Sequence, residues 1–207
     1  LALNNRLPEM VTNQRRGRWA QCFSSSLSGK TLLIIGVGHI GHAVARWAKS
    51  VGLNVLGIRR SGKARRWGDE MYTAAELQTI LPSADFVLIS APHTTETDQL
   101  MGAGELDLMK AGAGLVNYSR AGLVDYEALR VRLNKGELSA VLDVFTPEPL
   151  PKHSLLWEAS NLLITPHCSS DDESYYTPRT LDLVFENARR LIQGKPLHNR
   201  VSRRLQY

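Results

Sequence analysis

The chain has 207 residues, a formal net charge of +5 and 43% hydrophobic residues, which is typical of one sizeable α/β domain with a full core. No apolar run is long enough to cross a bilayer, and the N-terminal residues lack the apolar core of a signal peptide. We therefore expect a cytoplasmic protein without a membrane partner. Basic and aromatic residues are not interleaved as they are on surfaces that stack nucleic-acid bases. We therefore expect the positive charge to bind an anionic cofactor and an anionic substrate, not nucleic acid.

Strands and helices are predicted to alternate after an opening helix within 1–16 and a polar, serine-rich connection over 17–29. The predicted strands are 31–35, 53–58, 86–89, 114–118, 140–143 and 162–164, with a short extended piece near Met71 and Tyr72. The predicted helices are 39–51, 74–81, 125–135 and a last one that begins in the acidic 171–173 and ends near Gln193.

These strands are apolar without strict polar alternation, which is typical of a parallel sheet covered on both faces. The sequence therefore predicts an α/β, Rossmann-like, doubly wound fold with a mainly parallel sheet and helices on both faces. Cys22 and Cys168 follow no metal-ligand spacing, so we expect free thiols and no metal site.

The first predicted strand leads directly into the glycine pattern GVGHIG. In such a pattern Gly36 permits a tight turn, Gly38 lets the backbone approach a pyrophosphate, and Gly41 allows a helix to pack closely on the strand. The pyrophosphate then lies at the helix N-terminus, where free N–H groups and the positive end of the dipole favour an anion. An ordinary glycine-rich turn is the alternative, and a P-loop is excluded because no Lys-Ser/Thr follows the last glycine.

The end of the second predicted strand indicates which dinucleotide is bound. An NAD site usually has a carboxylate about 20 residues beyond the glycines, but this chain has Arg59 and Arg60, followed by Ser61. Because a guanidinium binds a phosphate bidentately and a carboxylate repels it, we expect NADP(H) in preference to NAD(H). A solvated basic loop, which also includes Lys63, Arg65 and Arg66, is the alternative interpretation.

Three later strand ends carry side chains with catalytic potential. They are Arg120, Glu148 and His167, each a few residues beyond a predicted strand. Because the carboxyl ends of parallel strands share one edge of the sheet, we expect these groups to converge beside the nicotinamide. Taken singly, each has a structural interpretation as a strand-end cap, a turn carboxylate or a buried histidine.

The motifs GVGHIG, NYSRAGLVD, LDVFTPEPLP and LWEASNLLITPH together resemble the nucleotide-binding domain of the D-isomer-specific 2-hydroxyacid dehydrogenases. The resemblance covers almost all of the chain. Within that family the basic loop and the final NRVSRRLQY are similar to NADPH-dependent glyoxylate/hydroxypyruvate reductases. The resemblance implies an oxidoreductase that transfers hydride between NADP(H) and a small 2-oxoacid or D-2-hydroxyacid, and it also implies a homodimer.

The resemblance also implies individual roles for residues of this chain. Arg120 corresponds to the arginine that binds the substrate carboxylate and carbonyl, His167 to the general acid, and Glu148 to the carboxylate that hydrogen-bonds this histidine. The backbone N–H groups of His39 and Ile40 correspond to those that meet the pyrophosphate. Further coenzyme-binding positions are Ala91, Pro92, Tyr118, Ser119, Asp143 and Ser169, together with Arg120 and His167.

By the same resemblance, 1–18 is a domain-crossing helix, 19–192 the dinucleotide-binding domain, and 193–207 a tail that returns towards a substrate domain absent from this chain. We therefore expect a fragment that binds NADP(H) with little or no turnover. A nucleotide-sensing protein of the corepressor type is the alternative outside enzymes. An enzyme that oxidises formate or phosphite is a further alternative. Enzymes of that kind usually use NAD, and Arg59 and Arg60 argue against NAD here.

Overall fold

The computed structural model describes residues 1–63, 66–170, 172–204 and 206. These residues belong to two compact units, Leu1–His167 and Cys168–Tyr207. The predicted division at residues 18 and 192 stays a prediction. Among the described residues, no helix combines the length and the apolar character that a membrane span requires.

The first unit is built on a seven-stranded sheet in which every pair of neighbouring strands is parallel. Its strands are β1 (Thr31–Ile35), β2 (Asn54–Ile58), β3 (Glu70–Tyr72), β4 (Phe86–Ile89), β5 (Gly114–Asn117), β6 (Ser139–Leu142) and β7 (Leu162–Ile164). They lie side by side in the order β3-β2-β1-β4-β5-β6-β7. This order confirms the predicted Rossmann-like fold, and each predicted strand begins and ends within one residue of the observed one.

The helices of the first unit are α1 (Leu7–Arg15), α2 (His39–Ser50), α3 (Leu77–Ile80), α4 (Ala103–Leu108) and α5 (Tyr126–Asn134). Short 3-10 turns lie at Ala74–Glu76, Leu81–Ser83, Ala121–Leu123 and Leu155–Glu158. The second unit contains α6 (Tyr176–Ile192).

Each face of the sheet has its own hydrophobic core. Alternate side chains of β1 point to opposite faces, so that Leu32 and Ile34 belong to one core and Leu33 and Ile35 to the other. On the first face α2 contributes buried alanines, whose small side chains allow helix and sheet to lie close together. On the second face α3, α4 and α5 contribute buried leucines and isoleucine. Burial on both faces explains why these strands consist mostly of apolar residues.

The strand order reverses beside β1, which pairs with β2 on one side and with β4 on the other. In open α/β sheets ligands bind in the crevice beyond the carboxyl ends of the strands at this switch point. The glycine turn after β1 and the segment after β4 form the walls of that crevice, so the topology locates the candidate coenzyme site.

Two predicted helices are corrected by the structure. The last helix begins at Tyr176 and not in the acidic 171–173; Asp171 itself lies outside the described residues. The Asp172 carboxylate accepts hydrogen bonds from the backbone N–H groups of Ser174 and Tyr175, and this local turn holds the chain out of the helix. The predicted helix 74–81 is divided into a 3-10 turn, one α-helical turn and a second 3-10 turn that contains a proline.

Candidate active site

The glycine turn after β1 is packed tightly on the end of β4. Gly36 has φ +98°, and a Cβ at this position would lie 2.4 Å from the backbone nitrogen of Ala91. A Cβ at Gly41 would lie 2.4 Å from the carbonyl oxygen of Gly36. By contrast, a Cβ at Gly38 would meet nothing within 4 Å, so space is open beside that residue. Two of the glycines are therefore required by packing, and the third borders an open cleft.

The N-terminus of α2 faces the same glycine turn and fits a pyrophosphate. Gly38 is the N-cap and provides no capping side chain, while His39 and Ile40 are exposed at the first helical positions. First-turn N–H groups have no partner within a helix, and they carry the positive end of its dipole. The N–H groups of His39 and Ile40 would hold the phosphates of a bound dinucleotide.

The basic loop begins where β2 ends, next to the glycine turn. The backbone N–H groups of Gly36 and Val37 donate to the carbonyl of Ile58 at 2.9 and 3.3 Å, which joins the two strand ends. Arg59 is half-buried and its Nη1 donates to the carbonyl of Lys63 at 3.3 Å, which orders the loop. Arg60 and Ser61 are exposed, and Arg65 lies outside the described residues. The first residues of the basic loop therefore lie beside the glycine turn that precedes α2.

A buried polar network holds the turn that carries Arg120. Asn117, at the end of β5, is fully buried, and its Nδ2 donates to the carbonyl of Arg120 at 2.9 Å and to the Tyr126 hydroxyl at 3.0 Å. Its Oδ1 accepts from the backbone N–H of Ser119 at 3.0 Å. The Tyr126 hydroxyl donates to the carbonyl of Val144 at 2.9 Å. This network joins the segments after β5 and β6, which are the segments that carry Arg120 and Glu148.

Asn117 and Tyr126 were not among the predicted site residues. The signal for Asn117 is a polar side chain at the end of an otherwise apolar strand, because such a group needs partners when it is buried. Tyr126 offers no such signal, since its ring also packs edge-on against Phe145 as an ordinary core aromatic would. Burial raises the pKa of Tyr126, which keeps its hydroxyl protonated and able to donate.

Glu148 and His167 form a direct hydrogen-bonded pair. The Nδ1 atom of His167 lies 2.7 Å from Oε2 of Glu148, while Oε1 accepts the backbone N–H of Phe145 at 2.7 Å. The hydrogen bond from His167 and then that from Phe145 lower the pKa of Glu148, and the charge of Arg120 adds to the effect. The carboxylate is therefore an acceptor, so Nδ1 of His167 carries the proton and Nε2 is left to exchange a proton with a ligand.

His167 has an unusual backbone conformation. Its φ is +53°, and its backbone N–H bonds to the carbonyl of Thr165 at 3.1 Å, directly after Pro166. Non-glycine residues are uncommon in this left-handed region, and such conformations concentrate at functional sites because surrounding contacts hold them. The bend directs the ring towards Glu148.

The structure brings the three predicted catalytic residues to one pocket. Arg120, Glu148 and His167 all line a cavity of about 680 Å³, a volume suited to a small molecule. The side chains of Glu148 and His167 are 36% and 46% exposed, so a ligand can reach them. Arg120 is exposed and its Nη1 donates to the carbonyl of Ser119 at 2.6 Å.

The other predicted coenzyme residues differ in their accessibility. Ala91 is buried, Pro92 is half-buried, and the Ser119 hydroxyl donates to the carbonyl of Ala91. Asp143 is 2% exposed and accepts a hydrogen bond from the Thr165 hydroxyl at 2.5 Å. Tyr118 packs against the core on the α2 face, and Ser169 belongs to the second unit. Within the part of the chain that the structure describes, no group of three or more side chains is arranged to bind a metal ion.

Residues 1–169 match the sequence model described as D-isomer-specific 2-hydroxyacid dehydrogenase, NAD-binding domain. The chain belongs to this family. It is 36% identical over 178 residues to glyoxylate/hydroxypyruvate reductase B of Enterobacter sp. (strain 638), covering 82% of this chain and 55% of that protein. It is 32% identical over 205 residues to D-3-phosphoglycerate dehydrogenase of a Synechocystis species, covering 98% of this chain and 37% of that protein. The chain therefore spans roughly a third to just over half of these relatives.

Solved structures of the 2-hydroxyacid dehydrogenase family give the same result. A family member from Xanthobacter autotrophicus Py2, solved in complex with NADPH and MES, matches all of this chain and 84% of its own chain, with a TM-score of 0.89 and 33% identity. An NADPH-dependent glyoxylate/hydroxypyruvate reductase from Sinorhizobium meliloti, solved with NADP and sulfate, matches all of this chain and 66% of its own, with a TM-score of 0.88 and 25% identity. These relatives are oxidoreductases by name, and they do not favour the nucleotide-sensing alternative.

The lowered pKa of Glu148 gives a testable dependence of stability on pH. A carboxyl whose pKa is lower in the folded state adds stability above its ordinary pKa of about 4.3, and that stability is lost as the pH falls through the lower folded value. We expect Glu148→Gln to reduce the free energy of unfolding near neutral pH by at most about 1 kcal/mol, since the pair is solvent-accessible, and to have less effect in acid. Urea unfolding at both pH values measures this. Glu158→Gln controls for the loss of an exposed carboxylate, and an equal effect of Glu148→Gln at both pH values would contradict the expectation.

Proposed function

We propose that the protein is an NADPH-dependent reductase of small 2-oxoacids such as glyoxylate or hydroxypyruvate. The observation that carries the proposal is the Glu148–His167 pair, which opens on the same pocket as Arg120. This combination supplies a carboxylate-binding cation and a proton donor within one small cavity. A cytoplasmic location, expected from the apolar pattern of the sequence, and a homodimer, implied by the resemblance, stay predictions.

A bound nicotinamide coenzyme supplies the hydride for this chemistry. The guanidinium of Arg120 binds the carboxylate and the carbonyl oxygen of the 2-oxoacid and so orients the carbonyl. Nε2 of His167 donates a proton to the carbonyl oxygen as the carbon is reduced, and it takes the proton back in the reverse reaction. Glu148 fixes the orientation of the ring through Nδ1, and the N–H of Phe145 fixes Glu148 in turn.

The coenzyme preference in this proposal depends on the loop after β2. Arg59 and Arg60 supply two guanidinium groups and Ser61 a hydroxyl, all of which suit a ribose 2′-phosphate. No residue from Arg59 to Lys63 is acidic, so the carboxylate that would bind a free 2′-hydroxyl is absent from this described stretch. The relatives solved with NADPH and NADP support the same preference.

Parallel titrations with NADPH and NADH test this preference. We expect the wild-type chain to bind NADPH at least about tenfold more tightly, because charge-assisted hydrogen bonds to the phosphate contribute about 1.5–3 kcal/mol. The double variant Arg59→Asp, Arg60→Ala should lose this preference while its affinity for NADH is retained. Lys135→Ala, which removes a positive charge from an exposed position at the end of α5, serves as the control. Equal binding of the two coenzymes by the wild-type chain would mean that the basic loop is merely solvated.

A further inference from the structure

A second imidazole–carboxylate pair lines the pocket that contains Arg120. His93 Nε2 lies 2.7 Å from Oδ1 of Asp98, and both residues border the same cavity as Glu148 and His167. His93 and Asp98 were not among the predicted site residues, and the chemistry proposed above does not use them. Because the pair lines the same pocket, it would contact a ligand that is bound at Arg120.

The loop that carries His93 is held by its own hydrogen bonds. The Thr97 hydroxyl donates to the carbonyl of Pro92 at 2.8 Å and accepts the backbone N–H of Thr94 at 2.8 Å, which closes the loop on itself. The backbone N–H of Gln99 donates to the carbonyl of Gly122 at 2.7 Å, which joins the loop to the turn after Arg120. The imidazole is therefore presented from an ordered segment.

The His93 ring lies directly against Gly122. A Cβ at that glycine would come within 2.6 Å of both Cε1 and Nε2 of the ring. Because Gly122 is two residues beyond Arg120, the imidazole is held beside the turn that presents the guanidinium. A side chain at position 122 would force the ring to move.

The hydrogen bond to Asp98 determines what the other ring nitrogen can do. A carboxylate only accepts, so Nε2 of His93 carries the proton and Nδ1 of the neutral ring presents a lone pair. The described residues that line this pocket include one arginine and two carboxylates, Asp98 and Glu148, each bonded to a histidine. Arg120 is already assigned to one carboxylate of the substrate, so a second anionic group would face net negative charge. A neutral hydroxyl that donates to Nδ1 fits this environment better.

We propose that His93, oriented by Asp98, is a specificity-determining residue that accepts a hydrogen bond from a hydroxyl on the carbon next to the reacting carbonyl. The pocket would then favour 3-hydroxy-2-oxoacids and their dihydroxy acid products over analogues without that hydroxyl. This inference rests on the proposed function, because it requires a 2-oxoacid or 2-hydroxyacid bound at Arg120.

The test compares D-glycerate with D-lactate, which differ only in the 3-hydroxyl. Each is titrated calorimetrically into the chain saturated with NADP⁺. We expect the wild-type chain to bind D-glycerate up to about tenfold more tightly, which is the upper end of the net effect of one hydrogen bond. His93→Phe, which keeps a ring but removes the acceptor, should reduce this ratio to near one and leave the affinity for D-lactate unchanged. His153→Phe, at an exposed histidine outside this pocket, should retain the wild-type ratio.

A second variant keeps the test decisive if His93→Phe folds poorly. Gly122→Ala displaces the ring without changing any charge, and it should lower the same ratio while NADPH binding, measured in parallel, is retained. If both ligands bind and no variant changes the ratio, or if the wild-type chain does not prefer D-glycerate, the role of His93 is wrong and the proposed function stands. If neither hydroxy acid binds to the NADP⁺-saturated chain, the proposed function falls and this inference falls with it.

Discussion

Gly36→Ala is expected to destabilise the chain and to abolish dinucleotide binding, whereas Gly38→Ala should weaken binding alone. At Gly36 the new methyl group would lie 2.4 Å from the backbone nitrogen of Ala91, and the φ of +98° is itself unfavourable for alanine. Backbone atoms cannot yield as a flexible side chain can, so the turn must separate from the end of β4. We expect a loss of several kcal/mol in the free energy of unfolding, the range of severe overpacking combined with backbone strain.

Gly38 provides the contrasting case within the same motif. Its φ of −88° is accessible to alanine, and the added methyl group meets no atom within 4 Å. Stability should therefore change much less than in Gly36→Ala. The methyl group would nevertheless occupy the space through which a pyrophosphate approaches the N-terminus of α2, so NADPH affinity should fall at least about tenfold.

Urea unfolding and NADPH titration of the same samples separate these two effects. Gly104→Ala in α4 is the matched control, because a Cβ there also meets nothing within 4 Å but lies away from the glycine turn. It should change neither the affinity nor, by more than a fraction of a kcal/mol, the stability. NADPH binding by Gly38→Ala at the wild-type affinity would show that the dinucleotide does not approach this turn.

The sheet was predictable because its central strands are buried on both faces and therefore consist mostly of apolar residues. The runs 31–35 and 86–89 end where the structure ends them, and the glycine motif then fixes the strand-to-helix turn. The positions of Arg120, Glu148 and His167 beyond successive strands followed from the same topology, because parallel strands deliver their carboxyl ends to one edge.

Other features depend on contacts between distant residues, which no local pattern contains. The left-handed backbone of His167 is held by its surroundings, because even histidine, which is enriched in this region, adopts it only in a minority of cases. The bonds from Asn117 to Tyr126 and from His93 to Asp98 each require a particular loop path. The late start of α6 is decided by the side chain of Asp172, which competes with the helix for backbone N–H groups.

His167→Gln is expected to slow reduction of a 2-oxoacid by about 10²–10⁴-fold, the usual contribution of a positioned general acid. Glutamine is polar and can still occupy the site beside Glu148, but it cannot deliver a proton from the position of Nε2. The affinity for NADPH should fall far less than the rate, since the glycine turn and the loop after β2 provide most of the dinucleotide contacts. The loss should therefore appear mainly in the rate of the chemical step.

Single-turnover measurement of NADPH consumption, with glyoxylate in excess and the chain saturated with coenzyme, resolves even a slow chemical step. His153→Gln provides the control, because this exposed histidine lies outside the pocket shared by Arg120 and Glu148. A rate that is unchanged in His167→Gln would mean that another group or water protonates the carbonyl. The Glu148–His167 pair would then serve only to hold the segment after β7 against the segment after β6, and Arg120 would remain as the proposed substrate contact.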